Sequence, residues 1–134
     1  MFILLIMALF SVLIFKSSGT FSSFSNDAHN GDLIVDGNTT LLIENTIYNL
    51  IGNLIIRDNA AVIIKNCFFN QSSSYTVGIF VEDMAKLVVI NTTLFISQND
   101  ITKISISDSA LLNITDSILI NNDESFYFGP LVTP

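Results

Sequence analysis

Three copies of one phrase, residues 56–66, 81–91 and 106–116, follow one another at a constant step of 25 residues. Aspartates stand at 58, 83 and 108, alanines at 60, 85 and 110, and the third matching column reads Asn66, Asn91, Asp116. A fixed period between about 20 and 50 residues marks a stacked repeat, in which each copy buries its apolar face against its neighbours. Residues 33–50 form an earlier, shorter copy: Asn45 precedes Asn66 by 21 residues, and Gly37 takes the aspartate column. Four copies are therefore read, at 33–50, 54–71, 79–96 and 104–121. The first gap is shorter because its connecting loop is shorter.

Within each copy the apolar residues alternate by two. Leu54, Ile56, Ala60, Val62 and Ile64 share one parity, and Ile79, Val81, Ala85, Leu87 and Val89 repeat it. Alternation of that kind puts one face of a strand into a core. A helix would space its apolar residues by 3.6, and the β-branched content also argues against one. After the asparagine column the parity switches: Cys67, Thr92 and Ser117 come next, then Phe69, Leu94 and Leu119 at a further step of two. A one-residue corner produces that switch, and asparagine tolerates the left-handed backbone such a corner needs. An antiparallel sandwich has no reason to keep one side chain at every corner. A coil of parallel strands does, because residues one coil apart stack about 4.8 Å from each other. The expected unit is three short strands, a tight corner at Asn, a second corner near Asp and a looser loop.

These residues resemble right-handed parallel β-helix repeat proteins of the pectate-lyase-like superfamily. The stretch from Asn59 to Phe69 is especially similar to repeats of exported, often archaeal, cell-surface β-helix proteins. The resemblance implies an all-β, right-handed parallel β-helix of about four rungs. It also implies an asparagine ladder of Asn45, Asn66 and Asn91, with Asp116 as the variant fourth member. It is specific for fold and says little of function, since that fold carries lyases, hydrolases, epimerases, adhesins and plain stalks.

The formal charge is −7, from 12 acids against 5 bases, which argues against nucleic acid as a partner because phosphate binding needs clustered Lys and Arg. Cys67 is alone, so no intramolecular disulfide can form, and stability must come from stacking. Residues 2–15 are apolar apart from Ser11. That run is shorter than the roughly 20 residues a bilayer span takes, and its length fits the core of a signal peptide. The division expected is a signal peptide or short anchor at 1–19, a polar linker at 20–30, and the β-helix from 31 to 134. A buried strand is the remaining reading of the apolar run. The chain is expected to be exported, extracellular or on the cell surface, with the membrane touched only through that first segment.

Asp58, Asp83 and Asp108 stack in one column, and calcium is the ligand such carboxylates would take. The plainer role is that each bonds nearby backbone N–H groups and shapes its corner. No other cofactor is implied. A lyase of this fold needs a base, yet Arg57, beside Asp58, is explained by an ion pair, and Glu82 with Asp83 is not marked out as a glycosidase pair. No catalytic residue is assigned. His29 lies in the linker, and Cys67 is read as a small inward residue. Asn38, Asn70 and Asn113 open N-glycosylation patterns, Asn70 being favoured because it opens a polar loop. Asn91 opens another, but belongs to the ladder.

Adding 25 to Ile104 and Ile106 lands on Gly129 and Leu131, so the chain is expected to stop inside a fifth rung. Phe126, Tyr127 and Phe128 would fold over that end, further rungs would follow in a longer chain, or a second copy would stack there. The function expected is a non-catalytic cell-surface module, structural, adhesive or glycan-contacting, with surface glycans or neighbouring surface proteins as partners. The rival class is a carbohydrate-active enzyme, a polysaccharide lyase or glycoside hydrolase, or a fragment of one.

Overall fold

A computed structural model describes residues 24–72, 78–97, 103–121 and 124–129. The signal or anchor segment expected at 1–19 lies outside the described residues, as do Leu131 and most of the two loops of the longer repeats. Every regular element described is a strand. A first strand, β1 (Ser25–Asn30), precedes four triplets. These are β2 (Leu33–Val35), β3 (Thr40–Glu44) and β4 (Thr46–Ile51), then β5 (Leu54–Ile56), β6 (Ala61–Lys65) and β7 (Phe68–Ser72). They continue with β8 (Gly78–Val81), β9 (Lys86–Ile90) and β10 (Thr93–Ser97), then β11 (Lys103–Ile106), β12 (Leu111–Thr115) and β13 (Ser117–Asn121), and β14 (Glu124–Phe128) follows.

Corresponding strands of successive triplets pair side by side and parallel, making three sheets: β2-β5-β8-β11, β3-β6-β9-β12, and β1-β4-β7-β10-β13-β14. The register is the one the repeat dictates. Leu33 pairs with Leu54, Leu54 with Ile79 and Ile79 with Ile104, while Ile43, Ile64, Val89 and Ile114 align in the second sheet. The chain is a parallel β-solenoid of about three turns.

The inward columns are apolar and closed. Leu54, Ile56, Ala60, Val62, Ile64 and Phe69 are fully buried, as are Val81, Ala85 and Val89 one coil on. Each large side chain so buried contributes roughly 1.5–3 kcal/mol. Phe69 stacks on Tyr48 of the preceding coil, with ring centroids 5.6 Å apart and planes 7° from parallel. The shorter first step is a tight link: two residues, Gly52 and Asn53, join β4 to β5. Gly52 has φ 151°, and a Cβ there would stand 2.4 Å from the Gly31 carbonyl oxygen, so only glycine fits.

The start of the described residues departs from expectation. The polar stretch taken as a linker supplies a strand: β1 pairs with β4 over its whole length, from Ser25 opposite Thr46 to Asn30 opposite Ile51. Its composition misleads because, among the described strands, it has a neighbour on one side only. Asp27 and His29 lie over Tyr48 and Leu50, so polar residues stand there over larger, more apolar ones of the next coil. At the other end the described residues stop at Gly129, short of the Leu131 expected in a fifth rung. β14 turns back antiparallel along β13, with Ser117 opposite Phe128 and Asn121 opposite Glu124. A step of 25 locates a matching position but carries no information on strand direction. β14 covers only the third sheet, and among the described strands β11 and β12 are the last of theirs. Ile106 is accordingly 40% exposed, although Val81 in the same column is fully buried.

Candidate functional site: corner ladders and an outer furrow

The side chains that could carry chemistry lie at the three corners of the coil. At the first, Asp58, Asp83 and Asp108 have φ of 60°, 57° and 59°, and Gly37 completes the column at 64°. Only glycine and short polar residues enter this left-handed region readily. Each carboxylate then reaches back one coil. Gly37 N–H donates to Asp58 Oδ2 at 2.9 Å, Asp58 N–H to Asp83 Oδ2 at 3.0 Å, and Asp83 N–H to Asp108 Oδ2 at 3.4 Å. The corner role is thus visible in the bonds. A calcium ion takes six to eight oxygens. Here each aspartate commits one oxygen to a backbone N–H, and the first coil offers glycine. Among the described residues no three His, Cys, Asp or Glu side chains gather as a metal centre.

At the second corner Asn45, Asn66, Asn91 and Asp116 have φ between 47° and 53°. Asn66 Nδ2 donates to Asn45 Oδ1 at 3.3 Å and Asn91 Nδ2 to Asn66 Oδ1 at 2.9 Å. Asp116 keeps the backbone conformation, but a carboxylate has no N–H with which to extend the chain of amides. Immediately inside, Thr46, Cys67, Thr92 and Ser117 are buried. Cys67 N–H donates to Thr92 Oγ1 at 3.2 Å and Thr92 N–H to Ser117 Oγ at 3.1 Å. Both hydroxyls donate in turn to the carbonyl two residues earlier. Small hydroxyl residues fit because they turn polar atoms toward a backbone that the bend would otherwise leave short of partners.

The third corner holds bonds that the periodicity did not bring out. Asn53 N–H donates to Asp32 Oδ1 at 2.8 Å, and Gly78 N–H to Asn53 Oδ1 at 2.9 Å. A second amide ladder runs along the third sheet: Asn49 Nδ2 donates to Asn26 Oδ1 and Asn70 Nδ2 to Asn49 Oδ1, at 3.0 and 3.1 Å. The step of 21 from Asn49 to Asn70, equal to that from Asn45 to Asn66, was the available signal. Gln71, fully buried, donates Nε2 to the carbonyls of Gly52 and Gly78 and so ties the start of a loop to the core.

Asn70 therefore does not open a loop. It lies in β7 with its amide nitrogen engaged and its Oδ1 buried, which ill suits it to glycosylation. Asn38 is exposed in the turn between β2 and β3, and Asn113 is half-buried in β12. Arg57 pairs at 3.2 Å with Asp36 of the preceding coil rather than with its neighbour Asp58, whose carboxylate is turned to Gly37. His29 Nε2 contacts the Asp32 carbonyl oxygen at 3.2 Å. Glu82 is half-buried beside Asp83. Tyr48 has its phenol pKa raised, chiefly by burial and then by the Asp27 carboxylate.

One concavity follows the second corner. A cavity of about 450 Å³ touches Phe24, Ile47, Asn66, Phe68 and Asn91. A second, of about 360 Å³, touches Asn91, Thr93, Asp116 and Ile118. They share Cys67, Asn91 and Thr93, so together they make a furrow along the coil axis. Amides line one wall, and the outward column Ile47, Phe68, Thr93, Ile118 lines the other.

Stacked parallel strands with left-handed Asn and Asp corners define a parallel β-solenoid protein. No protein family, no curated protein and no solved structure matches the chain.

Proposed function

We propose that the chain is a non-catalytic, exported module of the cell surface, a structural or adhesive β-solenoid of the pectate-lyase-like kind that meets glycans or neighbouring surface proteins with its outer faces. One observation carries the reading: the candidate acids at the first corner are spent as acceptors of backbone N–H groups from the adjacent coil. A carboxylate held in that way is part of the scaffold. General acid–base work needs instead a group aimed at a substrate proton. The left-handed Asn column and its amide ladder support the assignment to the pectate-lyase-like kind. The apolar run at 2–15 followed by small residues supports export.

The test has two parts. The full chain, expressed with its first residues, is traced by cell fractionation and surface proteolysis, and is expected outside the membrane. The purified protein is then incubated with anionic and neutral polysaccharides, with and without calcium. No release of reducing or unsaturated ends is expected. Turnover that disappears in Asp83→Asn would overturn the scaffold reading in favour of an enzyme.

A further inference from the structure

We propose that Asn38 carries an N-linked glycan in the exported chain, in preference to the three other asparagines that open the same acceptor pattern. This rests on reading the chain as exported, since the sugar is transferred to a chain that crosses a membrane.

The pattern Asn-X-Ser/Thr begins at Asn38, Asn70, Asn91 and Asn113. The chemistry would be the same at each. The side-chain Nδ2 attacks C1 of the first sugar of a lipid-linked oligosaccharide. A C–N bond forms and the bond from C1 to the lipid phosphate oxygen breaks. The phosphate leaves with the electron pair, and Nδ2 gives up a proton to a base of the transferase. Nothing is oxidised or reduced. What distinguishes the four is whether the folded chain has room for a sugar on that nitrogen.

At Asn70 and Asn91 the nitrogen is already engaged. Asn70 Nδ2 donates to Asn49 Oδ1 at 3.1 Å, and its own Oδ1 is buried. Asn91 Nδ2 donates to Asn66 Oδ1 at 2.9 Å. A sugar on either nitrogen would crowd the amide of the preceding coil and weaken the ladder. Asn113 is half-buried in the middle of β12, as is Thr115, and that strand is paired with β9 from Leu111 to Thr115.

Asn38 differs on each count. It is exposed in the turn between β2 and β3, and among the described residues it enters no hydrogen bond through its backbone or its side chain. Its counterparts in the next two coils do: Asn59 N–H donates to the Gly37 carbonyl at 2.9 Å and Met84 N–H to that of Asp58 at 3.0 Å. Thr40, whose hydroxyl completes the pattern, is exposed and lies opposite the small Ala61. The position also gives a glycan something to do. Ile34 and Leu42, 49% and 51% exposed on the outer faces of β2 and β3, flank the turn. A hydrated sugar chain standing between them shields that apolar surface from other molecules.

The experiment expresses the full chain in eukaryotic cells, once with its own first residues and once behind a secretion signal of proven function. Glycopeptides of the secreted protein are located by mass spectrometry, before and after a peptide N-glycosidase that leaves aspartate wherever a glycan stood. Most copies should carry a glycan on Asn38. The mobility shift should disappear in Asn38→Gln and in Thr40→Ala, and persist in Thr40→Ser and Asn113→Gln. Mapping of the unsubstituted chain decides the matter should a variant misfold. An unmodified Asn38 in secreted protein, or a glycan on Asn70, Asn91 or Asn113 in equal or larger amount, would overturn the assignment. Removing the glycan should raise binding of an apolar dye at least twofold, and Ile34→Ser with Leu42→Ser should abolish the rise; no rise would overturn the shielding. If only the form with the added signal is secreted, and it is modified at Asn38, the site stands and the reading of the chain as exported falls.

Discussion

Replacing Asp83 separates the two things the aspartate column does. Asp83 accepts the Asp58 N–H at 3.0 Å and holds a left-handed φ of 57°. A hydrogen bond of this kind contributes about 0.5–1.5 kcal/mol net, and about 1 kcal/mol is a fair value at an exposed corner. The left-handed backbone costs a residue with a Cβ about 1–2 kcal/mol, partly offset in Asp by its short polar side chain. Asp83→Ala loses the bond and that offset together, so it should destabilise by about 1.5–2 kcal/mol. Asp83→Gly loses the bond but relieves the Cβ, as Gly37 already does at φ 64° in the first coil, and should cost only about 0.5–1 kcal/mol. Asp83→Asn keeps an acceptor and the tolerance, and should cost less than either. Urea unfolding at about 0.15 M salt screens the repulsion between stacked carboxylates and gives the three differences directly. Equal losses for Ala and Gly would show that backbone conformation is not at stake. A calcium-dependent rise in midpoint, present in the wild type and absent from Asp83→Asn, would show that the column holds a cation and that the accounting has the wrong ligand.

Two more predictions concern the interior. Phe69→Ala removes a fully buried ring stacked on Tyr48 and should cost about 3–5 kcal/mol, whereas Phe68→Ala, one residue away on the outer face, should stay within about 1 kcal/mol. The same unfolding assay compares them, and similar losses would mean that the corner does not switch the parity as described. Burial, helped by the Asp27 carboxylate, raises the Tyr48 phenol above its ordinary 10.0. The fold thus prefers the neutral phenol, whose contribution is complete below pH 10 and is lost as pH climbs through the higher folded value. Tyr48→Phe should remove that part of the alkaline decline in melting temperature, and an unchanged decline would assign it elsewhere.

What could be read from the residues was whatever the repeat wrote several times. Asp58, Asp83 and Asp108 recur at one step because every coil needs the same left-handed corner, and the same holds for Asn66, Asn91 and Asp116. The columns that stayed hidden are those that change chemistry along the stack. Asn49 and Asn70 belong to a ladder, but their column continues as Phe95 and Ile120, where no amide remains to mark it. Asp32 and Asn53 are followed by Gly78, which contributes only its N–H. The first strand was missed for a different reason. Among the described strands β1 has a neighbour on one side only, and Ser25 to Asn30 lacks the apolar alternation of the interior and looks like a linker, although it pairs with β4 along its whole length. Arg57 shows a third limit. Adjacency in sequence suggested Asp58, but in a coil the nearer carboxylate is the one a coil away, at Asp36.

The furrow follows from the same geometry that makes the corner. Lys65 and Asn66 both face outward, Cys67 inward and Phe68 outward again, because the single left-handed residue Asn66 shifts the alternation by one. Two outward side chains therefore flank one inward residue at every coil, and stacking draws them out into two parallel walls with a floor between. The amide wall is constrained, since any residue there must accept a φ near 50°. The opposite wall carries no such demand. Ile47, Phe68, Thr93 and Ile118 occupy ordinary strand positions and differ from coil to coil. Hydrogen-bonding capacity is thus built into the fold, while the shape and apolarity of the facing wall are free to vary. The character of the furrow is therefore set by that second wall, and Phe68 is its largest member.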